Sequence, residues 1–285
     1  MEQIRDVDSM QQIAQGWRRE GKRCALVPTM GALHEGHLAL IDRARESADS
    51  VVASIFVNPA QFGPGEDLGR YPRQLEQDIA LLQQRGCDMV FTPCADALYP
   101  QGFDTWVVVE TLTRPLCGQS RPSHFRGVTT VVCKLLQITQ PHVAVFGQKD
   151  AQQCIVVRQM VRDLCIPVAI EVVGTVREAD GLAMSSRNAY LAPNERQAAT
   201  ALYRGLCGAE ALFASGERTA ARILDAARTA WANEPLLREE YCVCVDVRTL
   251  EPLEHVSATA LLALACRSAT TQTRLIDNSI LGGKL

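Results

Sequence analysis

The sequence predicts an α/β protein: a doubly wound parallel sheet followed by a smaller C-terminal α+β domain. Three observations predict it. Short apolar, β-rich runs alternate with stretches of helical periodicity through about residue 175, the order that builds parallel sheets. The strand-like runs, such as "VVASIFV" (51–57), are apolar without polar alternation, as expected of strands covered on both faces. After about residue 176 the texture changes to Ala- and Arg-rich helices and then three further strand-like runs.

Taken in order, residues 9–20 read as an amphipathic helix and "CALVP" (24–28) as a strand stopped by Pro28. "HLALIDRARESAD" (37–49) has helical spacing, with Leu38, Ile41 and Ala44 or Ala48 on one side. A strand at 51–57, a helix at 73–85 and a strand at 88–93 follow. "TWVVVE" (105–110) reads as another strand, because β-branched residues dominate it. "GVTTVVCKLLQIT" (127–139) reads as a helix, 142–147 as a strand, 150–164 as a helix and 168–173 as a strand. Residues 1–175 are therefore expected to form the first domain and 176–285 the second, with helices over 194–231 and strands at "YCVCVDV", "ALLALACR" and "TRLIDNSIL".

Of 285 residues, 29 are Lys or Arg and 32 Asp or Glu, a net charge of −3, which argues against a nucleic-acid binder. The polar start lacks an apolar signal core, and no stretch of about 20 apolar residues is present, so neither export nor a membrane span is expected. The eleven cysteines form no CxxC pair and sit mostly in apolar runs. They read as buried free thiols of a cytoplasmic protein.

Four stretches carry chemistry, and each directly follows a strand or lies in a long loop, where ligands bind such sheets. In "PTMGALHEGH", His34 and His37 share one side of a helical turn that starts near Gly36. The helix N-terminus there favours an anion, and Gly31 can supply a positive φ. Phosphate is the leading ligand; zinc is a rival, although HExxH spacing is i, i+4 and this pair is i, i+3, and a plain helix cap with surface histidines is the third reading. In "NPAQFGPGEDLGRYPR" (58–73), Asn58 and Gln61 suit a hydroxy acid, or Asn58–Pro59 simply starts a turn. In "FGQKD" (146–150), Lys149 suits phosphates, and Asp150 suits a helix cap or ribose hydroxyls. In "DGLAMSSRN" (180–188), Ser185, Ser186 and Arg187 suit a polyphosphate, or an exposed turn. No G-x-x-x-x-G-K-[ST] loop and no G-x-G-x-x-G is present.

Together with "SIFVNPAQF", "RPSHFRGVTTVVCKL", "FGQKDAQQ" and "TRLIDN", these stretches make the chain resemble, nearly end to end, the pantothenate synthetase (pantoate–β-alanine ligase) family. That family belongs to the Rossmann-like nucleotidyltransferases of the HxGH type. The resemblance implies that ATP, (R)-pantoate and β-alanine give pantothenate, AMP and pyrophosphate through pantoyl adenylate. It implies ATP contacts at Met30, Gly31, Ala32, Leu33, His34, Glu35, Gly36 and His37, at Gly147, Gln148, Lys149 and Asp150, at the Val176 backbone, and at Met184, Ser185, Ser186 and Arg187. His34, His37, Lys149 and Ser185–Arg187 would be catalytic. His37 is often made a proton donor, although charge stabilisation carries more weight in such transfers. Gln61 and Gln153, with Asn58, would hold pantoate. Mg²⁺ would come with the nucleotide, with Asp78 as a candidate protein contact. The resemblance further implies a homodimer. The chain departs from the family at Ala151, Cys117 and Gly174, to which no role is transferred.

Two other readings compete. A nucleotidyltransferase joining a nucleotide to a phosphorylated acceptor would share the histidine motif but not the "NPAQF" and "FGQKDAQQ" pair. A catalytically idle nucleotide-binding scaffold would not need the intact His, Lys and Ser–Ser–Arg set.

Overall fold

The computed structural model describes residues 1–285. Residue contacts divide the chain into two units, Met1–Gly147 with Gln152–Val173, and Gln148–Ala151 with Gly174–Leu285. The four residues 148–151 join the second unit although the first flanks them on both sides in sequence.

The first unit runs β1 (Glu2–Ile4), α1 (Val7–Arg19), β2 (Cys24–Thr29), α2 (Glu35–Ser47), β3 (Ser50–Ile55), α3 (Leu75–Gln84), β4 (Met89–Phe91), the short α4 (Ala95–Leu98) and α5 (Cys117–Ser120), α6 (His124–Thr139), β5 (Val143–Gly147), α7 (Ala151–Asp163) and β6 (Ala169–Val173). Six parallel strands lie in the order β1-β4-β3-β2-β5-β6. The chain winds outward from β2 through β3 to β4, then returns to the other side of β2 as β5. The order therefore reverses between β2 and β5, where such sheets open a crevice at their carboxyl ends. On one face Ala25 and Val27 of β2, Val51 and Ala53 of β3 and Val143 and Val145 of β5 pack with Leu40, Ile41 and Ala44 of α2 and Leu82 of α3. The alternate positions Leu26, Val52 and Ala144 are equally buried. That two-sided burial is why these runs show no polar alternation.

The second unit contains α8 (Pro193–Ala198), α9 (Ala201–Ala214), α10 (Ala220–Thr229) and three antiparallel strands, β7 (Leu237–Asp246), β8 (Ala260–Ser268) and β9 (Arg274–Leu281). Leu202, Leu206 and Ile223 from the helices and Leu262 and Leu264 from β8 share one core.

The expected strand at 105–110 does not form. Its central residue, Val107, gives its N–H to Thr130 Oγ1 (3.1 Å) and its carbonyl to Thr129 Oγ1 (2.6 Å), so α6 hydroxyls take the groups a ladder would need. The sequence gives no sign of β1, since three residues with only Ile4 buried carry no readable period. All eleven cysteines are free, and seven are buried. Burial pushes the thiols of Cys24, Cys242 and Cys266 up to about 12, which keeps them unreactive. No helix is long and apolar enough to cross a membrane.

Candidate functional site

The chain leaves β2 at Thr29 and turns sharply into α2, next to β5. Gly31 sits at φ +81°, and a Cβ there would lie 2.9 Å from Asp78 Oδ2 and 3.1 Å from Ile55 Cγ2. Ala32 follows at φ +51°, a conformation that costs an ordinary residue energy and must be imposed by its surroundings. Asp78 on α3, 1% exposed, imposes it: Oδ2 accepts the Ala32 N–H (2.9 Å) and Oδ1 the Leu33 N–H (2.8 Å). The Thr29 hydroxyl accepts the Gly31 N–H (3.2 Å).

α2 then starts with an unusual cap made of two histidines. His34 is the N-cap, and its Nδ1 accepts the Gly36 N–H (3.2 Å); His37 Nδ1 faces the His34 N–H at 3.4 Å. The rings lie 4.1 Å apart, inclined by 38°. A ring nitrogen that accepts an N–H carries no proton, so each neutral ring bears its proton on Nε2. Two Nε2–H donors therefore stand at the positive end of α2, a suitable place for an anion. The carboxylate of Glu35, by contrast, is drawn to Arg85 (2.5 Å) on the outer side of the helix.

The loop after β3 enters the same unit. Asn58 and Gln61 are both buried. Asn58 Nδ2 donates to Gln61 Oε1 (3.1 Å) and to the Gly127 carbonyl (3.1 Å), while Oδ1 accepts the Ala60 N–H (3.3 Å). Asn58 is thus spent on shaping the loop. Gln61 is the residue it presents, with Nε2 3.0 Å from Met30 Sδ. Gly127 permits this, since a Cβ there would lie 2.3 Å from the Ala60 carbonyl oxygen. The Gln61 carbonyl faces His124 Nδ1 (2.9 Å) and Arg121 Nη2 (3.3 Å), and Arg121 forms a two-point pair with Glu66 (2.9 and 2.5 Å). Burial opposes ionisation of Glu66, but the Arg121 guanidinium holds its carboxyl below the ordinary value. Arg121 and His124 lie in "RPSHFRG", a stretch to which the sequence reading assigns no separate role.

The two glutamines on α7 divide their work. Gln152 is consumed by Cys117 N–H (3.0 Å) and by the Leu112 and Pro115 carbonyls (3.0 and 2.8 Å). Gln153 is half-buried beside it in sequence. Gly147 ends β5, and its carbonyl meets Cys154 Sγ at 3.4 Å.

The remaining candidates belong to the second unit. Gln148–Asp150 form a single turn of 3₁₀ helix; Lys149 Nζ is 3.9 Å from Asp150 Oδ1. Residues 176–184 fold back on themselves, with the Met184 N–H on the Val176 carbonyl (3.0 Å), a bridge between Arg177 and Ala183, and Gly181 at φ +91°. Arg177 grips buried Asp277 at two points (2.7 and 3.1 Å) and lies 4.0 Å over the Tyr203 ring. Arg196 pairs with Glu178 (2.5 Å) and Asp180 (2.7 Å). Ser185 caps the next turn by accepting the Arg187 N–H (3.2 Å), which leaves its hydroxyl hydrogen for another acceptor. Met184, Ser185, Ser186 and Arg187 are all half-buried.

No three His, Cys, Asp or Glu side chains converge to hold a metal ion. Asp78 does not fit the ion contact expected of it, since it is 1% exposed and both its oxygens accept backbone N–H groups of the turn.

Comparison with known proteins gives a consistent answer. The sequence model of a family described as pantoate-beta-alanine ligase matches residues 2–280. The chain is 52% identical over 279 residues to a pantothenate synthetase of Geobacter sulfurreducens, covering 98% of each chain. It is 49% identical over 285 residues to one of Nitratidesulfovibrio vulgaris, covering all of both. Its fold is similar to the crystal structure of pantothenate synthetase from Thermus thermophilus, with a TM-score of 0.93, 47% identity, and coverage of 99% of this chain and 100% of that one. It is also similar to a pantoate-beta-alanine ligase from Francisella tularensis, complexed with beta-gamma ATP and beta-alanine, with a TM-score of 0.78, 31% identity, and coverage of 98% of this chain and 97% of that one.

Proposed function

The chain belongs to the pantoate–β-alanine ligase family, and we propose that it joins (R)-pantoate to β-alanine with cleavage of ATP to AMP and pyrophosphate. The observation that carries this reading is the double histidine cap of α2, which holds two Nε2–H donors at a helix N-terminus beside the sheet's reversal point.

In the first step a carboxylate oxygen of pantoate attacks the α-phosphorus, and the bond to pyrophosphate breaks. Negative charge builds on the α-phosphate oxygens, where His34 and His37 donate hydrogen bonds. Donors fixed before the reaction need no reorganisation as the charge develops. The capping bonds on Nδ1 fix them. Lys149, Ser185, Ser186 and Arg187 bind the phosphates, Asp150 the ribose hydroxyls, and the Val176 backbone the adenine. Gln61 and Gln153 hold pantoate through its hydroxyls and carboxylate, and Asn58 acts by holding Gln61. In the second step the β-alanine amine attacks the acyl carbon of the adenylate, the bond to AMP breaks, and the amine loses a proton.

Mg²⁺ bound with the nucleotide would neutralise phosphate charge, held by the phosphate oxygens. Asp78 acts instead on the backbone of the turn. We place the enzyme in the cytoplasm as a homodimer; sedimentation of the purified protein tests the latter, and a monomer at working concentration rejects it.

The decisive assay measures AMP and pyrophosphate formed from ATP and pantoate, with and without β-alanine. The expected result is steady AMP release only when all three substrates are present. AMP release that ignores β-alanine overturns the reading.

A further inference from the structure

The turn that carries Lys149 is held by a single side chain from β9. Asn278 is only 4% exposed. Its Nδ2 lies 2.9 Å from the carbonyl oxygen of Gln148 and 2.9 Å from that of Lys149. Its Oδ1 faces Gln148 Nε2 at 3.4 Å. Carbonyl oxygens only accept, so the amide nitrogen must face them, and both of its hydrogens are used. The Asn278 backbone N–H in turn donates to Asp277 Oδ1 (2.8 Å), the carboxylate that Arg177 grips.

We propose that Asn278 is a positioning residue for the ligase reaction, setting where Lys149 presents its charge to the triphosphate. The proposal rests on the reading of Lys149 as a phosphate ligand. A lysine is a point charge on a flexible stem, so its aim depends on the backbone that carries it. The Lys149 side chain makes a loose 3.9 Å pair with Asp150 and feels the charge of Asp277. The two hydrogen bonds from Asn278 hold two successive carbonyls, and so fix the two peptide planes that flank Lys149. A displacement of about 1 Å in a reacting group can cost on the order of 10²-fold in rate. Asn278 lies in "TRLIDN", far along the chain from "FGQKD".

The test is a double-mutant cycle with steady-state kinetics for all three substrates. Asn278→Asp keeps the shape but has no hydrogens to donate, Asn278→Ala removes the amide, and Asn278→Ser keeps one donor should the others fold poorly. We expect kcat/KM for ATP to fall about 10-fold or more in Asn278→Asp and Asn278→Ala, and less in Asn278→Ser. KM for pantoate and β-alanine should stay within about twofold. In a Lys149→Ala background, adding Asn278→Ala should change kcat/KM for ATP by less than about threefold, since the residue acts through Lys149. A full 10-fold loss in that background, an equal rise in all three KM values, or wild-type kinetics in the single variants overturns the proposal. Lys149→Ala with unchanged ATP kinetics instead sinks the reading of Lys149, and this proposal with it.

Discussion

The turn at 29–37 and the segment at 176–190 are both proposed to meet ATP, yet they are held in opposite ways. The first relies on backbone N–H groups satisfied from within: Asp78 on two of them, Thr29 on a third, and two histidine rings on the helix start. The second relies on charge: Arg177 on Asp277, and Arg196 on Glu178 and Asp180. The difference follows from conformation. Two successive residues with positive φ need directed, short-range bonds to keep them there. A chain that folds back on itself with a glycine at its corner is already allowed, and needs only to be anchored.

The contrast can be broken at either end. Asp78→Ala should have the largest effect, because it removes the carboxylate that accepts two buried N–H groups. At about 1–3 kcal/mol each, stability should fall by about 2–6 kcal/mol in urea unfolding. A loss below about 1 kcal/mol means that Asp78 does not support the turn. Arg177→Ala comes next. Burial pushes the Asp277 carboxyl up, against the pull of Arg177 first and then of the Asn278 N–H and Lys149. Removing one partner of a buried pair costs about 3–5 kcal/mol. A comparable loss in Asp277→Asn would show that the pair itself, and not a stranded charge, is what matters. His37→Ala should cost only about 0.5–2 kcal/mol, the worth of a helix cap, but lower turnover about 10²-fold or more. Near-normal turnover removes it from the reaction. Arg196→Ala should be smallest, about 0.2–1 kcal/mol, because this pair is partly exposed and screened. Its effect should shrink further in about 1 M salt, whereas that of Asp78→Ala should not. Equal salt sensitivity in the two variants would erase the distinction between the regions.

How much of this is legible in the sequence differs residue by residue. The helix over α2 and the strands β2, β3 and β5 are readable because a continuous apolar run and a 3.6-residue period are local signals. The positions of His34 and His37 at a helix start are readable for the same reason. Asn58 and Gln61 look alike in sequence, and only the close approach of Gly127 separates the residue that shapes the loop from the one it presents. Asp78 reads as a contact for an ion, because nothing in "RQLEQDIALL" tells that its carboxylate points inward at a turn 46 residues earlier. The run at 105–110 misleads because β-branched residues report a preference for extended backbone, not the presence of a neighbouring strand.

The sequence by itself determined the succession of strands and helices apart from β1 and the run at 105–110, the class of sheet they build, and the four stretches that carry polar chemistry. Each of these depends on residues within a few positions of one another. Only the tertiary structure decided the tautomer-setting bonds of the histidine cap, the clasp of Asp78 on the turn, the network that joins Arg121, Glu66 and Gln61, and the hold of Asn278 on the Lys149 turn. These are hydrogen bonds between groups mostly distant along the chain. Their formation depends on angles and on distances near about 3 Å, which no local pattern encodes.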